Sequence, residues 1–196
     1  MVENKNQIRK DFEDFITEFK NESDRAIVIL IATKIDYLLL CILQKYLLPS
    51  TSNDDEFFEN QGGPGSSFSN KIMLAYRLGL IDKDMTRALH IIRKLRNDFA
   101  HEITGCSLDK GSHRDRVHSL ATPYRKFPFY KMFREAYFEN IPHYRAEYMT
   151  VAGLLIIRLS YLLEHIEPIS DDKAWRVLSK RLQDWKLEPE KLSTTK

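Results

Sequence analysis

Several structural devices are scarce in this chain of 196 residues. It has two cysteines, Cys41 inside an apolar run and Cys106 in a predicted loop. They give neither a disulfide framework nor metal-ligand spacing, which fits a reducing cytoplasm. Seven glycines and seven prolines leave few turns, so long uninterrupted segments favour helices over many short strands. No long apolar run is free of polar residues either. The most apolar stretch, residues 26–48, contains Lys34, Asp36, Gln44 and Lys45, which a bilayer centre would penalise; it reads as a buried helix, with no membrane contact. The opening MVENKNQIRKDFEDF carries charges of both signs and no apolar centre, which predicts no signal peptide and a cytoplasmic location. A strong charge excess is missing too. A formal net charge of +2 announces a nucleic-acid binder only where the cations cluster. No metal site, cofactor motif, internal repeat or low-complexity block is expected.

What is present is the balance of a soluble globular protein, 43% hydrophobic and 30% charged residues. That length supports one core. We expect a single all-α domain over residues 1–186, a helical bundle with long central helices, followed by a frayed tail at 187–196. Ile8, Phe12, Phe15, Ile16 and Phe19 recur at helical spacing. Ser23 is placed to cap a second helix reaching about Leu48, ahead of Pro49. The stretch PSTSNDDEFFENQGGPGS reads as a loop pinned by Phe57 and Phe58. A third helix starts near Ser67 or Ser69 and stops at Gly79, and Asp82 caps a fourth that reaches His101. Beyond Gly105 the chain is expected to be irregular, with a short aromatic helix around Tyr130–Phe138, a long apolar helix over Tyr144–Glu167 and a last amphipathic one over Asp171–Trp185. Trp175 and Trp185 on that last helix are expected in the core or an interface.

The chemistry concentrates in the fourth helix, in IIRKLRNDFAHE. Met85, Ala88, Leu89, Ile92, Leu95 and Phe99 share one apolar face. His90, Lys94, Asn97 and His101 are spaced four, three and four, so they form one polar ridge on the other side. Arg96 falls at the border, its stem against the apolar face and its guanidinium outward. These residue types suit metal-free phosphodiester cleavage. A histidine takes or gives the proton at a ribose 2′-hydroxyl or leaving oxygen, and an arginine holds the phosphate and its growing charge. One histidine is a thin set for both acid and base, which favours a composite site from two subunits. The simpler alternative is a polar helix end whose histidine gains from the helix dipole.

RNDFAH resembles the Arg-polar-x-x-x-His motif of the HEPN superfamily, all-α proteins that include many metal-independent ribonucleases of toxin and anti-phage systems. That resemblance implies a homodimer acting on RNA, with Arg96 and His101 catalytic and Asn97 supporting them. A longer stretch, GGPGSSFSNKIMLAYRLGLIDKDMTRALHIIRKLRNDFAH with SLDKGSHRDRVHSL after it, is similar to the mannitol operon repressor-like family over about residues 62–120. That second resemblance implies a non-catalytic transcriptional regulator working on DNA or a protein partner. Ala75, Gly79, Leu80, Met85 and Ala88 then fall near a helix-turn-helix pattern, with Lys83, Arg87 and His90 on its second helix.

Cations do cluster in one place, a basic aromatic insertion at about residues 106–135. It holds seven Lys and Arg against three acids, interleaved with Tyr124, Phe127, Phe129, Tyr130 and Phe133. Such a mixture suits stacking on unpaired bases while cations follow the phosphates. Nucleic-acid contacts are accordingly expected from Arg114, Arg116, Arg125 and Lys126, joined by His90 and Lys94 of the ridge. The bland alternative is a connection anchored by its aromatics, its charges simply solvated. An antitoxin is a further expected partner if the protein is a toxin.

Overall fold

The computed structural model describes residues 21–60 and 62–170, with residues 10, 13, 14, 16, 17 and 19 ahead of them. Ile8, Phe12 and Phe15 of the first expected helix lie outside the described residues, as do the expected helix over 171–185, both tryptophans and the tail. The described positions before Asn21 are helical, with Ile16 buried.

Six helices follow among the described residues: α1 (Asp24–Tyr46), α2 (Phe68–Arg77), α3 (Lys83–His101), α4 (Gly111–Ala121), α5 (Pro128–Phe138) and α6 (His143–His165). Among the described residues there is no strand, so the fold is all-α. The first three start where a short polar side chain can accept from an orphan N–H. Ser23 accepts from Ala26 at 3.2 Å, Ser67 from Asn70 at 3.1 Å and Asp82 from Met85 at 2.8 Å. Gly79 ends the α2 segment with φ 73°, a conformation that costs glycine little and other residues more.

One stretch expected to be irregular is helical. Residues 111–121 form α4, whose buried side is His113, Val117, Leu120 and Ala121. Its stripe opens on a histidine that packs against Phe99, ring centroids 4.7 Å apart, so counting apolar residues alone misses the period. Pro128 sits at the first position of α5, where its missing N–H is no loss.

The two long helices, 23 residues each, pack against one another at the centre. Helix α1 also carries α2 and α3, α6 carries α4 and α5, and α3 lies against both α2 and α4. By length and composition α1 and α6 could each cross a membrane, with mean hydropathy 2.4 and 1.4 over the best window, yet 50% and 61% of those windows are buried inside the fold. Such burial is that of core helices. Ion pairs tie the layers together: Lys71 to Asp36 at 2.7 Å, Arg145 to Asp24 at 2.7 Å and Arg158 to Asp82 at 2.7 Å. Lys45 donates to the carbonyls of Leu163 and Glu164 at the end of α6, where a cation complements the helix dipole.

The loop between α1 and α2 is folded onto itself. Phe57 and Phe58 meet edge to face at 4.9 Å, and Gly65 donates to the Phe57 carbonyl at 2.9 Å. A Cβ at Gly65 would lie 2.5 Å from the Phe58 ring, so glycine is what permits this approach.

Candidate functional site

Helix α3 holds its form through the whole motif. The N–H of Glu102 donates to Asp98 O at 2.9 Å, closing the last turn beneath His101. Met85, Ala88, Leu89, Ile92, Leu95 and Phe99 are all buried, the face that periodicity assigned to the core. Arg96 is half-buried and its Nη1 donates to Asn97 Oδ1 at 3.1 Å. Exposed His101 has no hydrogen bond or ion pair among the described residues. Five residues at the helical pitch separate it from Arg96 by about 140° around the axis. Within one chain the two side chains therefore do not converge.

Along the ridge, Lys94 is exposed while His90 and Asn97 are half-buried. Burial first, then the charges of Arg93 and Lys94, hold the His90 imidazole below its ordinary range. It is neutral at pH 7 and can bind through a hydrogen bond rather than a charge.

Asp98, inside the motif but outside the expected site, is its most connected residue. Arg116 of α4 forms a close ion pair with it, and His113 Nε2 lies 3.6 Å from Asp98 and 3.8 Å from Glu102. His113 Nδ1 donates to the Ser107 carbonyl at 3.3 Å, since a carbonyl only accepts. Arg25 of α1 donates to the Glu102 carbonyl and reaches Cys106 Sγ at 3.3 Å, while Leu108 N–H donates to Asp24 at 2.9 Å. The chain leaving His101 is thereby stapled to the start of α1. Burial, then the Glu102 carboxylate that accepts from the thiol at 2.9 Å, push the Cys106 pKa up against the opposing charge of Arg25. Cys106 is a thiol, not a reactive thiolate.

The basic aromatic segment divides in two. Phe127 and Phe129 are exposed and stacked on each other at 5.3 Å, with Lys126 Nζ 5.3 Å from the Phe127 ring centre. Arg114 is exposed beside Asp115 at 3.5 Å. These four side chains and Lys94 remain open to a ligand. Arg116 and Arg125, by contrast, are each engaged by a carboxylate of the protein: Arg116 with Asp98, and Arg125 with the buried Glu147, Nε to Oε1 at 2.7 Å.

Glu147 belongs to a cleft of about 640 Å³ between α4, α5 and α6, which sequence reasoning did not anticipate. His118 Nδ1 lies 3.4 Å from Arg125 Nη2, and His143 Nε2 lies 3.6 Å from Glu147 Oε1. One signal was readable in advance: a glutamate in the apolar run HYRAEYMTVAGLL is a charge that must find a partner if the helix is buried.

Among the described residues no group of three or more His, Cys, Asp or Glu side chains is arranged to hold a metal ion. No family model matches the chain, and no curated protein or solved structure is significantly similar to it, which leaves its own side chains to indicate function.

Proposed function

We propose that the protein is a HEPN-like, metal-independent endoribonuclease of the toxin or anti-phage defence type, acting on RNA in the cytoplasm as a homodimer. One observation carries this reading: at the closed end of α3 an exposed, unengaged His101 stands five residues from an arginine whose guanidinium is steadied by Asn97. Ile103, 92% exposed beside it, supplies an apolar contact that a second copy would cover. Because the pair diverges within one chain, the second copy is needed to bring arginine and histidine together around one phosphate.

Across such a seam one His101 takes the proton of the ribose 2′-hydroxyl, and that oxygen attacks phosphorus. The bond from phosphorus to the 5′-oxygen breaks, and the other His101 donates a proton to the leaving oxygen. Products are a 2′,3′-cyclic phosphate and a 5′-hydroxyl, with Arg96 balancing the charge that grows on the phosphoryl oxygens. Lys94 and Arg114, and Lys126 with its two stacked phenylalanines, are available to guide a single strand towards it.

Purified protein incubated with RNA in EDTA, alongside Arg96→Ala and His101→Ala, tests the reading. Cleavage by wild type and its loss in both variants is expected; equal cleavage by all three, or none by any, removes the enzyme claim.

A regulator of the mannitol operon repressor-like kind has one observation in its favour. Lys83 and Arg87 are exposed one turn apart at the start of α3, just after the Gly79 turn. It would produce a salt-sensitive shift of operator DNA that Lys83→Ala or Arg87→Ala weakens and His101→Ala leaves alone.

A further inference from the structure

The cleft between α4, α5 and α6 is built unlike the α3 end, because some of its polar atoms are buried with no hydrogen-bond partner. Glu147 has a side chain only 3% exposed, and while its Oε1 is engaged, its Oε2 has no hydrogen-bond partner. Arg134 Nε is likewise buried without one. A buried donor and a buried acceptor left open in one cleft are each costly, and a bound molecule offering the complementary groups would relieve both.

The charges define that molecule. Arg125, Lys131 and Arg134 face two carboxylates, Glu135 and Glu147, and two imidazoles add further donors. Arg125 is committed to Glu147. Lys131 is held only by Glu135 at 3.8 Å, with side chains 82% and 57% exposed, a contact that a better anion readily displaces. Lys131 and Arg134 lie one turn apart on α5, His118 comes from α4 and His143 from α6. Donors thus approach from three helices, which suits an anion with three acceptor oxygens better than a planar carboxylate with two. Burial, and then the negative charge of Glu147, raise the pKa of Tyr130, keeping its hydroxyl protonated as one more donor. Glu147 Oε2 needs the opposite partner, a hydroxyl that donates.

We propose that this cleft binds a phosphate monoester carrying neighbouring hydroxyl groups, as a nucleotide or a sugar phosphate does. Its phosphate sits among Arg134, Lys131 and the two histidines, and a hydroxyl donates to Glu147. The proposal is independent of RNA cleavage at the α3 end, since it uses none of Arg96, Asn97 or His101.

Titration calorimetry on the full chain with adenosine 5′-monophosphate, glucose 6-phosphate, inorganic phosphate, adenosine and glucose provides the test. Binding of at least one ester, with its dephosphorylated counterpart silent, is expected, and which ester binds assigns the source. Arg134→Ala should weaken that ester by about tenfold or more. Lys131→Ala should weaken it less and leave folding intact, because Lys131 is 82% exposed. The proposal fails if neither ester binds, if the parent alcohols bind as well as the esters, if inorganic phosphate binds as tightly as they do, or if neither variant changes the affinity.

Discussion

The end of α3 and the cleft around Glu147 both gather histidines and arginines, but they do so at opposite energetic cost. At the α3 end His101 is exposed, and Arg96 bonds to its own neighbour; neither group gives up much hydration in folding. In the cleft a carboxylate with 3% of its side chain exposed meets Arg125, so charge has been taken out of water and must be compensated. The first region stands almost outside the stability balance of the bundle, the second within it. A functional group of the first kind can be replaced without touching the fold, whereas one of the second kind serves ligand and fold together.

That contrast is sharpest where α3 turns its core side inward. Phe99, central in RNDFAH and fully buried against the His113 ring, should cost about 3–5 kcal/mol when changed to Ala, through lost burial and the cavity left behind. Urea denaturation reads this directly. A cost below about 1 kcal/mol would mean that the motif helix is not anchored as described.

Next in size is Arg125→Met, which leaves Glu147 buried without its guanidinium. Removing one member of a fully buried pair costs about 3–5 kcal/mol, and because 35% of the Arg125 side chain is exposed the expected loss is nearer 2–3 kcal/mol. The equivalent change at the other region, Arg96→Met, should fall within about 0.5 kcal/mol of wild type by the same denaturation. Equal losses at the two arginines would erase the distinction between the regions.

How far the sequence disclosed these regions follows from the distances over which they are made. The caps at Ser23, Ser67 and Asp82 each act on a residue three positions on, so they are local, and the apolar stripe of α3 is periodic within one helix. Both were legible. Helix α4 was not, because its stripe begins at His113, buried only through Phe99 and the Ser107 carbonyl. Nor were the partners of the expected nucleic-acid contacts: Asp98 lies 18 residues before Arg116, and Glu147 lies 22 after Arg125. Composition registers those cations as an excess, while the fold assigns each a carboxylate. Arg114, Lys126 and Lys94 stay exposed without an ion pair to a distant part of the chain.

A smaller effect separates the two ends of α3 itself. Asp82 accepts from the Met85 N–H and pairs with Arg158; burial raises its pKa, but these two partners outweigh it and hold the carboxyl below its usual range. Its folded pKa is lower than its unfolded one, so its contribution is complete above the unfolded value of about 3.9 and is lost as pH falls through the folded value. Asp82→Ala should therefore destabilise by about 1 kcal/mol at pH 7 and by less at strongly acid pH. A pH-independent cost would show that the cap's hydrogen bond matters and its charge does not.

The smallest expected effect on stability is the most informative about function. His101→Ala removes an exposed ring with no partner among the described residues, leaving a change within about 0.5 kcal/mol. Alanine is also a good helix former, and what the histidine contributes beside the C-terminal dipole is of the same small order. Any loss of RNA cleavage in this variant then cannot be laid to unfolding, which is the ambiguity that attends substitution of Arg125 or Glu147 in the cleft. The measurement pairs thermal melting with cleavage on one preparation: an unchanged midpoint with activity gone supports a chemical role for the imidazole, while an unchanged midpoint with activity intact ends it. A midpoint that drops by more than about 5 °C would instead reveal a packing partner for His101 and place it in the same energetic class as Glu147.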